Sequence, residues 1–460
     1  QDGIDVEALK RRLNLLQMTI DVYTDHLADA AERCAEWLPQ QAGDDCFDVA
    51  TVATAAAFAH FADYRLSQGR EMMRIAGSSI AQAESDYGAA WVAVVATMPL
   101  LYEGDFSRAS GQLKQALDKA RATLGEDSGI LGTAALLAAK CAVELGRDEK
   151  AASLLALGMR KFRIHGVLDT AVFGLDAALK LWHGDKHDAF SLLELRDAVE
   201  AYPPRLALLF ACLLIRRLVR LGKLDAAQEE AARAGIPIEG PSARLVFRGI
   251  ELNASTHDLI AAAQIDLDLA RGHIRRAATR VAKQSKSAKA GGRSARMVEL
   301  ALDEAYINIC SHKREVAARH LARAAGLAAK RGYIRPFRDR AELIAGLVNE
   351  TRMKDWGFAL DEERTFFARM CQDLPLTNSA LLEQLDELNV APTLTDLPTA
   401  RELELLVLIE TGLTNQQLAD RLSLSVATVK WHLYNLYTKL GVSNRAGALS
   451  RARALNLLAR

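Results

Sequence analysis

Hydrophobic and polar positions recur with helical spacing along most of the chain, and one unit repeats. A Leu-rich helix is followed by a turn, usually at Gly, and by a second helix that places Ala five residues after the turn position, as at Gly104 and Ala109. The turn positions are Gly69, Gly104, Gly146, Gly184, Gly222, Gly272 and His312. They lie 35 to 50 residues apart. Because a single helical hairpin cannot bury its apolar face, such hairpins stack into a superhelix. We therefore predict an all-α, tetratricopeptide-like superhelix, with an ordinary helical bundle as the alternative.

The last part of the chain has a different helical pattern. Helices are predicted over about 400–411, about 415–422 and about 425–440, with Gly412 ending the first. Thr399 with Glu402 and Thr414 with Gln417 have the spacing of capping boxes. On the third helix, Val429, Leu433, Leu436 and Leu440 form the predicted buried stripe. Two short helices joined by a tight turn predict a helix-turn-helix.

The opposite side of this third helix carries Lys, Trp and Tyr, which favours a major-groove surface over a solvent surface. The predicted base contacts are Ala427, Lys430, Trp431, Tyr434 and Thr438. Side chains at helix N-termini and nearby polar side chains are candidates for binding phosphates. The predicted phosphate contacts are Thr414, Asn415, Thr428, Asn435, Lys439, Ser443 and Arg445.

Two segments interrupt the helical pattern. Residues 283–296 are rich in Gly, Ser and Lys, and we predict a flexible loop between two helices there. Residues 388–396 contain Pro392 and have no helical periodicity. We therefore predict a sensor domain at 1–387, a linker at 388–396 and a DNA-binding domain at 397–460.

Charge supports this division. The 460-residue chain has a formal net charge of zero, but residues 397–460 contain eight Lys or Arg and four Asp or Glu. The tail is thus basic and the body acidic, as expected when one end contacts nucleic acid. No apolar run reaches the ~20 residues of a membrane span, and no export signal opens the chain, so we expect a cytoplasmic protein without membrane contact. The six dispersed cysteines predict reduced, buried thiols, with Cys34, Cys141 and Cys310 in the core.

The tail resembles the LuxR/FixJ/NarL-type DNA-binding domain from Leu397 to Arg453. The matching motifs are Leu397-Pro398-Thr399-Ala400-Arg401-Glu402, Gly412-Leu413-Thr414-Asn415, Leu418-Ala419, Leu422, Ser425, Thr428-Val429-Lys430 with His432, Lys439-Leu440-Gly441-Val442 and Asn444-Arg445. The resemblance implies that the helix containing Lys430 enters the major groove. It also implies a fourth helix at about 445–457 that often supports dimerisation. Tyr434 departs from the longer or more basic side chains that many members carry there.

The body and tail together resemble the C-terminal half of the MalT-like large regulators. The resemblance depends on the hairpin array, which ends in Gly332-Tyr333-Ile334-Arg335-Pro336-Phe337-Arg338-Asp339, and on the tail after it. It implies that an inducer or a regulatory protein binds the array and controls self-association and binding of double-stranded DNA. RNA polymerase is a further candidate partner. Those regulators carry an ATP-binding switch domain, whereas this chain has no GxxxxGK[ST]. No cofactor is expected in this chain, and ATP only if such a domain has been removed.

Effector residues are the hardest to predict. The aromatic and cationic candidates are Trp91, Tyr102, Trp182, Tyr202 and Arg335, and core packing is the alternative explanation for each. His183-Gly184-Asp185-Lys186-His187 falls on a repeat turn rather than one helical face, so we predict no metal site there. No catalytic constellation stands out, and we expect no enzymatic activity. Two alternatives to an effector-sensing regulator stay open: a scaffold for a regulatory protein, and a fragment of an ATP-dependent switch.

Overall fold

The computed structural model describes residues 6–40, 45–162, 168–184, 188, 190–237, 246–247, 250–372, 398, 400–422, 424, 426–440, 442, 444–455 and 457–458. The chain divides into two compact units, Gln1–Asp339 and Arg340–Arg460. The predicted linker at 388–396 lies outside the described residues, and the predicted domain limits stay a prediction. Among the described residues, no helix is long and apolar enough to cross a membrane.

The first unit is built from helices, as predicted. They are α1 Val6–Tyr23, α2 Leu27–Trp37, α3 Cys46–Ala62, α4 Leu66–Gln82, α5 Asp86–Val95, α6 Met98–Glu103, α7 Phe106–Leu124, α8 Gly129–Glu144, α9 Asp148–Arg160, α10 Leu168–Leu181, α11 Leu192–Glu200, α12 Pro204–Arg220, α13 Leu224–Arg233, α14 Ala254–Ala270, α15 Ile274–Ala290, α16 Ser294–Cys310, α17 Arg314–Ala329 and α18 Arg335–Arg338. A 3-10 turn occupies Leu38–Gln40. The sequence did not predict a small antiparallel hairpin, β1 Val246–Phe247 and β2 Ile250–Glu251, between α13 and α14.

The second unit is also helical. It comprises α19 Ala341–Glu350, α20 Asp361–Gln372, α21 Ala400–Glu410, α22 Asn415–Leu422, α23 Val426–Lys439 and α24 Arg445–Ala454, with a 3-10 turn at Met353–Asp355. Trp356 is buried between Phe358 and Phe367, and its indole nitrogen donates to the Thr351 hydroxyl at 2.9 Å. The polar edge of this aromatic cluster is thereby satisfied.

The predicted hairpin turns have a common backbone conformation. Gly104, Gly146, Gly184, Gly222, Gly272 and His312 all have positive φ. The prediction for Gly69 is wrong, because the left-handed residue of that hairpin is Tyr64, with φ 58°. Gly69 lies inside α4, where an added Cβ would come within 2.2 Å of the Phe61 ring. Asp25, with φ 71°, marks a further hairpin that the sequence pattern did not single out.

At every such position that the structure describes, a small residue follows the turn by five positions and lies where two helices meet. Ala30, Ala109, Ala151, Ala227, Ala277 and Ala317 are each 0% exposed, and Gly69 has the same position after Tyr64. A larger side chain there would push the helices of the hairpin apart. The five-residue spacing between the turn and the small residue therefore has a steric cause.

Charged side chains are buried along the helices of the array, and we call them the ionic chain. Lys140 and Lys180 both pair with Glu144 and with Asp176, and Arg216 pairs with Asp266 at 2.9 Å and with Glu299 at 3.0 Å. Burial alone would raise the pKa of Asp176, but Lys140 and Lys180 hold it well below its ordinary range, and Arg216 lowers it further. The two clusters are thus electrostatically linked. They connect α8, α10, α12, α14 and α16.

The segment at 283–296 is not the predicted loop. Helix α15 continues through Ala290, and α16 begins at Ser294, which leaves a turn of three residues. Ala277, Val281 and Ala288 bury one face of α15, so this Lys-rich and Ser-rich stretch is an amphipathic helix with a solvated basic face.

The cysteines follow the prediction only in part. All six are free, and Cys34, Cys141, Cys212 and Cys371 are buried. Burial raises the pKa of the Cys34, Cys141 and Cys212 thiols to about 12. Cys310 is exposed because it is the last residue of α16, so its prediction as a core residue is wrong.

Candidate nucleic-acid interface and effector cavities

The predicted helix-turn-helix is present, with bounds within two or three residues of those expected from the sequence. Helices α21 to α24 enclose a core of their own. The predicted stripe of Val429, Leu433, Leu436 and Leu440 is buried, each residue at 4% exposure or less. Gly412 has φ 84° and ends α21, as predicted. Apolar spacing and helix-ending residues thus determine this part of the fold.

The second predicted capping box is also present. The Gln417 backbone N–H donates to the Thr414 hydroxyl at 3.3 Å, and the Thr414 backbone N–H donates to Gln417 Oε1 at 2.8 Å. Thr399 lies outside the described residues, so the first predicted box is untested. The Glu402 side chain accepts a hydrogen bond from Lys439 Nζ at 2.9 Å.

The predicted base contacts all fall on α23, the second helix of the motif. The side chains of Ala427, Lys430, Trp431, Tyr434 and Thr438 lie outside the described part of the structure. Their role in base recognition stays a prediction from the sequence.

The predicted phosphate contacts divide into two groups. The side chains of Thr428 and Asn435, and residue Ser443, lie outside the described part. The described candidates are Thr414 and Asn415, at the start of α22, and Lys439 and Arg445, which have partners inside the domain. Arg445 donates to the backbone oxygens of Leu413 at 2.6 Å and Ile409 at 2.7 Å, and thereby ties α24 to the C-terminus of α21.

Lys439 is the candidate whose surroundings differ most from the prediction. Its side chain is 20% exposed, and the Glu402 side chain that it contacts is 4% exposed. A phosphate would have to compete with this buried carboxylate for the ammonium group. The sequence could not reveal the pairing because the two residues are 37 positions apart.

The predicted effector residues do not form one site. Trp182 lies under Lys223 and its carbonyl accepts from Arg217 at 2.7 Å, whereas the Tyr202 hydroxyl donates to the Phe162 carbonyl at 2.5 Å. Buried Arg335 binds Asp339 at 2.9 Å, Asp148 at 3.4 Å and the Lys180 carbonyl. These three side chains hold helices together.

Trp91 and Tyr102 line two different cavities. Trp91 contributes to an apolar cavity of about 280 Å³ between α1, α3, α4 and α5. Tyr102 contributes to a second cavity of about 160 Å³, whose walls are aromatic on one side and charged on the other. Burial raises the pKa of the Tyr102 phenol, so its hydroxyl stays protonated at neutral pH.

Sequence reasoning missed the residues that give this second cavity its chemistry. We call it the charged cavity. Tyr64, Asp258, Arg293, Arg296 and Glu299 line it. Arg293 and Arg296 were assigned to a flexible loop, although both are buried, at 3% and 8% exposure. The signal that was available was the pair of arginines after Gly291-Gly292, at the start of an apolar helix.

Comparison with known proteins places the tail in a family. Residues 397–452 match the family described as bacterial regulatory proteins, luxR family. The probable transcriptional regulatory protein SgaR of Hyphomicrobium methylovorum is 55% identical over 58 residues, 13% of this chain and 28% of that protein. The HTH-type transcriptional regulator AlkS of Alcanivorax borkumensis is 38% identical over 76 residues, 16% of this chain and 9% of that protein.

A third similarity extends into the residues before the tail. The HTH-type transcriptional regulator MalT of Yersinia enterocolitica is 28% identical over 155 residues, 32% of this chain and 17% of that protein. The matched segments span less than a third of the length of each of these relatives. Residues 397–452 of this chain are therefore a helix-turn-helix domain of the LuxR family.

Proposed function

We propose that this protein is a DNA-binding transcription regulator whose helical array senses an effector and controls how the LuxR-type domain is presented to DNA. The observation that carries the proposal is the combination on one chain of a four-helix domain matched to the luxR family and a long array of helical hairpins. The names of the similar proteins, all transcription regulators, support the same activity.

The proposed mechanism is a shift of populations. An effector binds one arrangement of the array more tightly and thereby favours self-association. Two LuxR-type domains in one assembly then bind paired half-sites with a raised effective concentration. A single domain of this size contacts few phosphates and should bind weakly.

An exposed face on α1 supports self-association. Its large apolar residues follow each other at steps of three and four, and they are 47% to 57% exposed. They are Val6, Leu9, Leu13, Leu16, Ile20 and Tyr23. This spacing is the heptad pattern of helices that pair with one another, so a second copy of α1 is a suitable partner.

Analytical ultracentrifugation tests this partner. Leu13→Glu should shift the protein to monomer, whereas Lys10→Ala, at an exposed position of the same helix, should leave the oligomeric state unchanged. A wild-type monomer at every concentration would instead favour the alternative, a scaffold whose α1 binds a regulatory protein.

DNA binding is tested at α23. Lys430→Ala should weaken specific binding by about 1–3 kcal/mol if the side chain reads one base. Lys114→Ala, at an exposed position of α7 in the array, removes the same charge far from α23 in the sequence and is the matched control. Fluorescence anisotropy on a duplex selected from random sequences measures both. Full specific affinity in a folded Lys430→Ala protein would refute the assignment of α23 as the reading helix.

A further inference from the structure

We propose that the charged cavity binds a compact organic acid that carries a hydroxyl or amino group close to its carboxylate. This inference depends on the proposed function, because it identifies the cavity as the effector site of the regulator.

The donors for the carboxylate are unused N–H groups of two buried arginines. Among the residues that the structure describes, Arg293 Nε and Nη1 and Arg296 Nε and Nη2 have no hydrogen-bond partner. Arg293 Nη1 lies 2.8 Å from Asp258 Oδ2 and forms an ion pair with it, so Arg293 Nε and the two Arg296 nitrogens are the donors that a ligand would use. Buried donors without partners cost free energy, and a bidentate carboxylate would satisfy them.

The position of the two arginines in the chain adds to the attraction. Arg293 is the N-cap of α16, a helix of 17 residues, and Arg296 lies in its first turn. The unpaired N–H groups and the dipole at a helix N-terminus favour negative charge. The ligand carboxylate is thus expected at this end of α16.

The neighbouring cations are already neutralised. Arg216 is shared between Asp266 and Glu299, and Lys140 is held by Glu144 and Asp176. Buried Arg205, in a different part of the array, is an arginine whose hydrogen-bond donors have partners. It binds two carboxylates, Asp25 and Asp169, and the Thr256 hydroxyl. Unlike Arg216, Lys140 and Arg205, Arg293 and Arg296 have buried N–H donors without a hydrogen-bond partner among the described residues.

An acceptor in the same cavity also lacks a partner. Asp258 Oδ1 is buried and accepts no hydrogen bond from any described residue, whereas Oδ2 accepts from the Tyr64 hydroxyl at 3.2 Å. A ligand that was only an anion would leave Oδ1 unsatisfied and would be repelled by it. A hydroxyl or amino group close to the carboxylate satisfies this oxygen, and this requirement narrows the ligand class.

The opposite wall sets the size and character of the remainder of the ligand. The Tyr64 and Tyr102 rings meet edge to face at 5.3 Å, and Tyr102 lies 5.4 Å from Phe173. The cavity volume of about 160 Å³ is close to the ~150 Å³ of an engineered cavity that holds benzene. A single ring or a short branched chain with small polar substituents therefore fits.

Isothermal titration calorimetry of the full chain without DNA provides the test, with 3-hydroxybenzoate as the probe. Its uncharged analogue 3-hydroxybenzamide has nearly the same shape and is the matched ligand control. We expect saturable binding of the acid and at least tenfold weaker binding of the amide. No saturable binding of the acid, or equal binding of the two, would overturn the proposed site.

Arg296→Met provides the second arm. Glu299 keeps Arg216 as a partner in this variant, so the array should still fold, with a lower unfolding midpoint, while affinity for the acid falls about 10- to 100-fold. Arg319→Met, at an exposed position of α17, is the matched control and should bind like wild type. Arg296→Lys keeps the positive charge but loses the bidentate geometry of the guanidinium group. Its affinity for the acid should lie between those of the wild type and Arg296→Met. Wild-type affinity in folded Arg296→Met and Arg296→Lys proteins would exclude this arginine from the site.

The effector role is measured separately, as DNA affinity with and without the probe. A change in DNA affinity that Arg296→Met abolishes supports the whole inference. If the acid binds but DNA affinity is unchanged, the charged cavity is a binding site for the acid and its proposed effector role is wrong. Absence of DNA binding under every condition would refute the proposed function, while calorimetry still decides the cavity.

Discussion

The contact between Lys439 and Glu402 yields a prediction that separates two roles for one lysine. If Lys439 holds a DNA phosphate, Lys439→Met should flatten the salt dependence of DNA binding by about one unit and leave the fold unchanged. If it chiefly neutralises the buried Glu402, the variant should destabilise the LuxR-type domain. The structure favours the second outcome, because the Glu402 side chain is only 4% exposed.

The magnitude follows from burial. Removing one partner of a fully buried ion pair costs about 3–5 kcal/mol, and an exposed pair contributes about 0–1 kcal/mol. Lys439 is 20% exposed, so solvent screens part of the interaction, and we expect a loss of about 1–3 kcal/mol. At 1.4 kcal/mol for each factor of ten, this loss corresponds to a roughly 5- to 150-fold larger population of the open domain.

Hydrogen exchange in the intact chain measures this opening through the backbone amides of α21 and α23. A second substitution, Glu402→Gln in the Lys439→Met background, should restore much of the protection because it removes the buried negative charge. Unchanged exchange in Lys439→Met together with a salt slope flattened by one unit would refute the reasoning and return Lys439 to the phosphate contacts.

Three further predictions concern the helical array. Gly69→Ala should lower the free energy of unfolding by about 1–3 kcal/mol because the new Cβ clashes with the buried Phe61 ring. Gly77→Ala lies on the same helix, where no atom is near the added Cβ, and should raise the free energy of unfolding by about 0.5–1 kcal/mol. Urea titrations measure both. Acidification should also unfold the array. Burial would raise the pKa of Asp176 and Glu299, but ion pairing lowers both pKa values below their ordinary range. The stability that these carboxylates contribute is therefore complete above their ordinary pKa values and is lost as the pH falls toward the lowered ones. Circular dichroism with no transition down to pH 2 would contradict this mechanism. Arg205→Met should cost about 3–5 kcal/mol in the same urea titrations because it leaves two buried carboxylates without their shared cation, and a loss below 1 kcal/mol would contradict that role.

The sequence predicted what depends on local spacing. Successive residues of the stripe from Val429 to Leu440 are three or four positions apart, and Thr414 and Gln417 of the capping box are three apart. The structure has both features. The hairpin turns were found for the same reason. The one error, Gly69, arose because a glycine was assumed to occupy the turn, whereas Tyr64 adopts the left-handed conformation and Gly69 provides the close packing.

Pairings between distant residues were not predictable in this way. Arg205 meets Asp25 from 180 positions away, and Lys439 meets Glu402 from 37. Composition was misleading for Arg293, because a Lys-rich, Ser-rich and Gly-containing stretch is typical of a loop. Only the packing of α16 against the array shows that this arginine is buried.

The ionic chain has a consequence for how the protein resists degradation. In an array held only by contacts between neighbouring hairpins, segments can open one at a time and expose cleavable backbone. Here buried charges tie α8 to α10, and α12 to α14 and α16, so opening any one of these helices leaves charges without partners on another. Limited proteolysis should therefore begin outside these five helices and should leave a resistant fragment from α8 to α16.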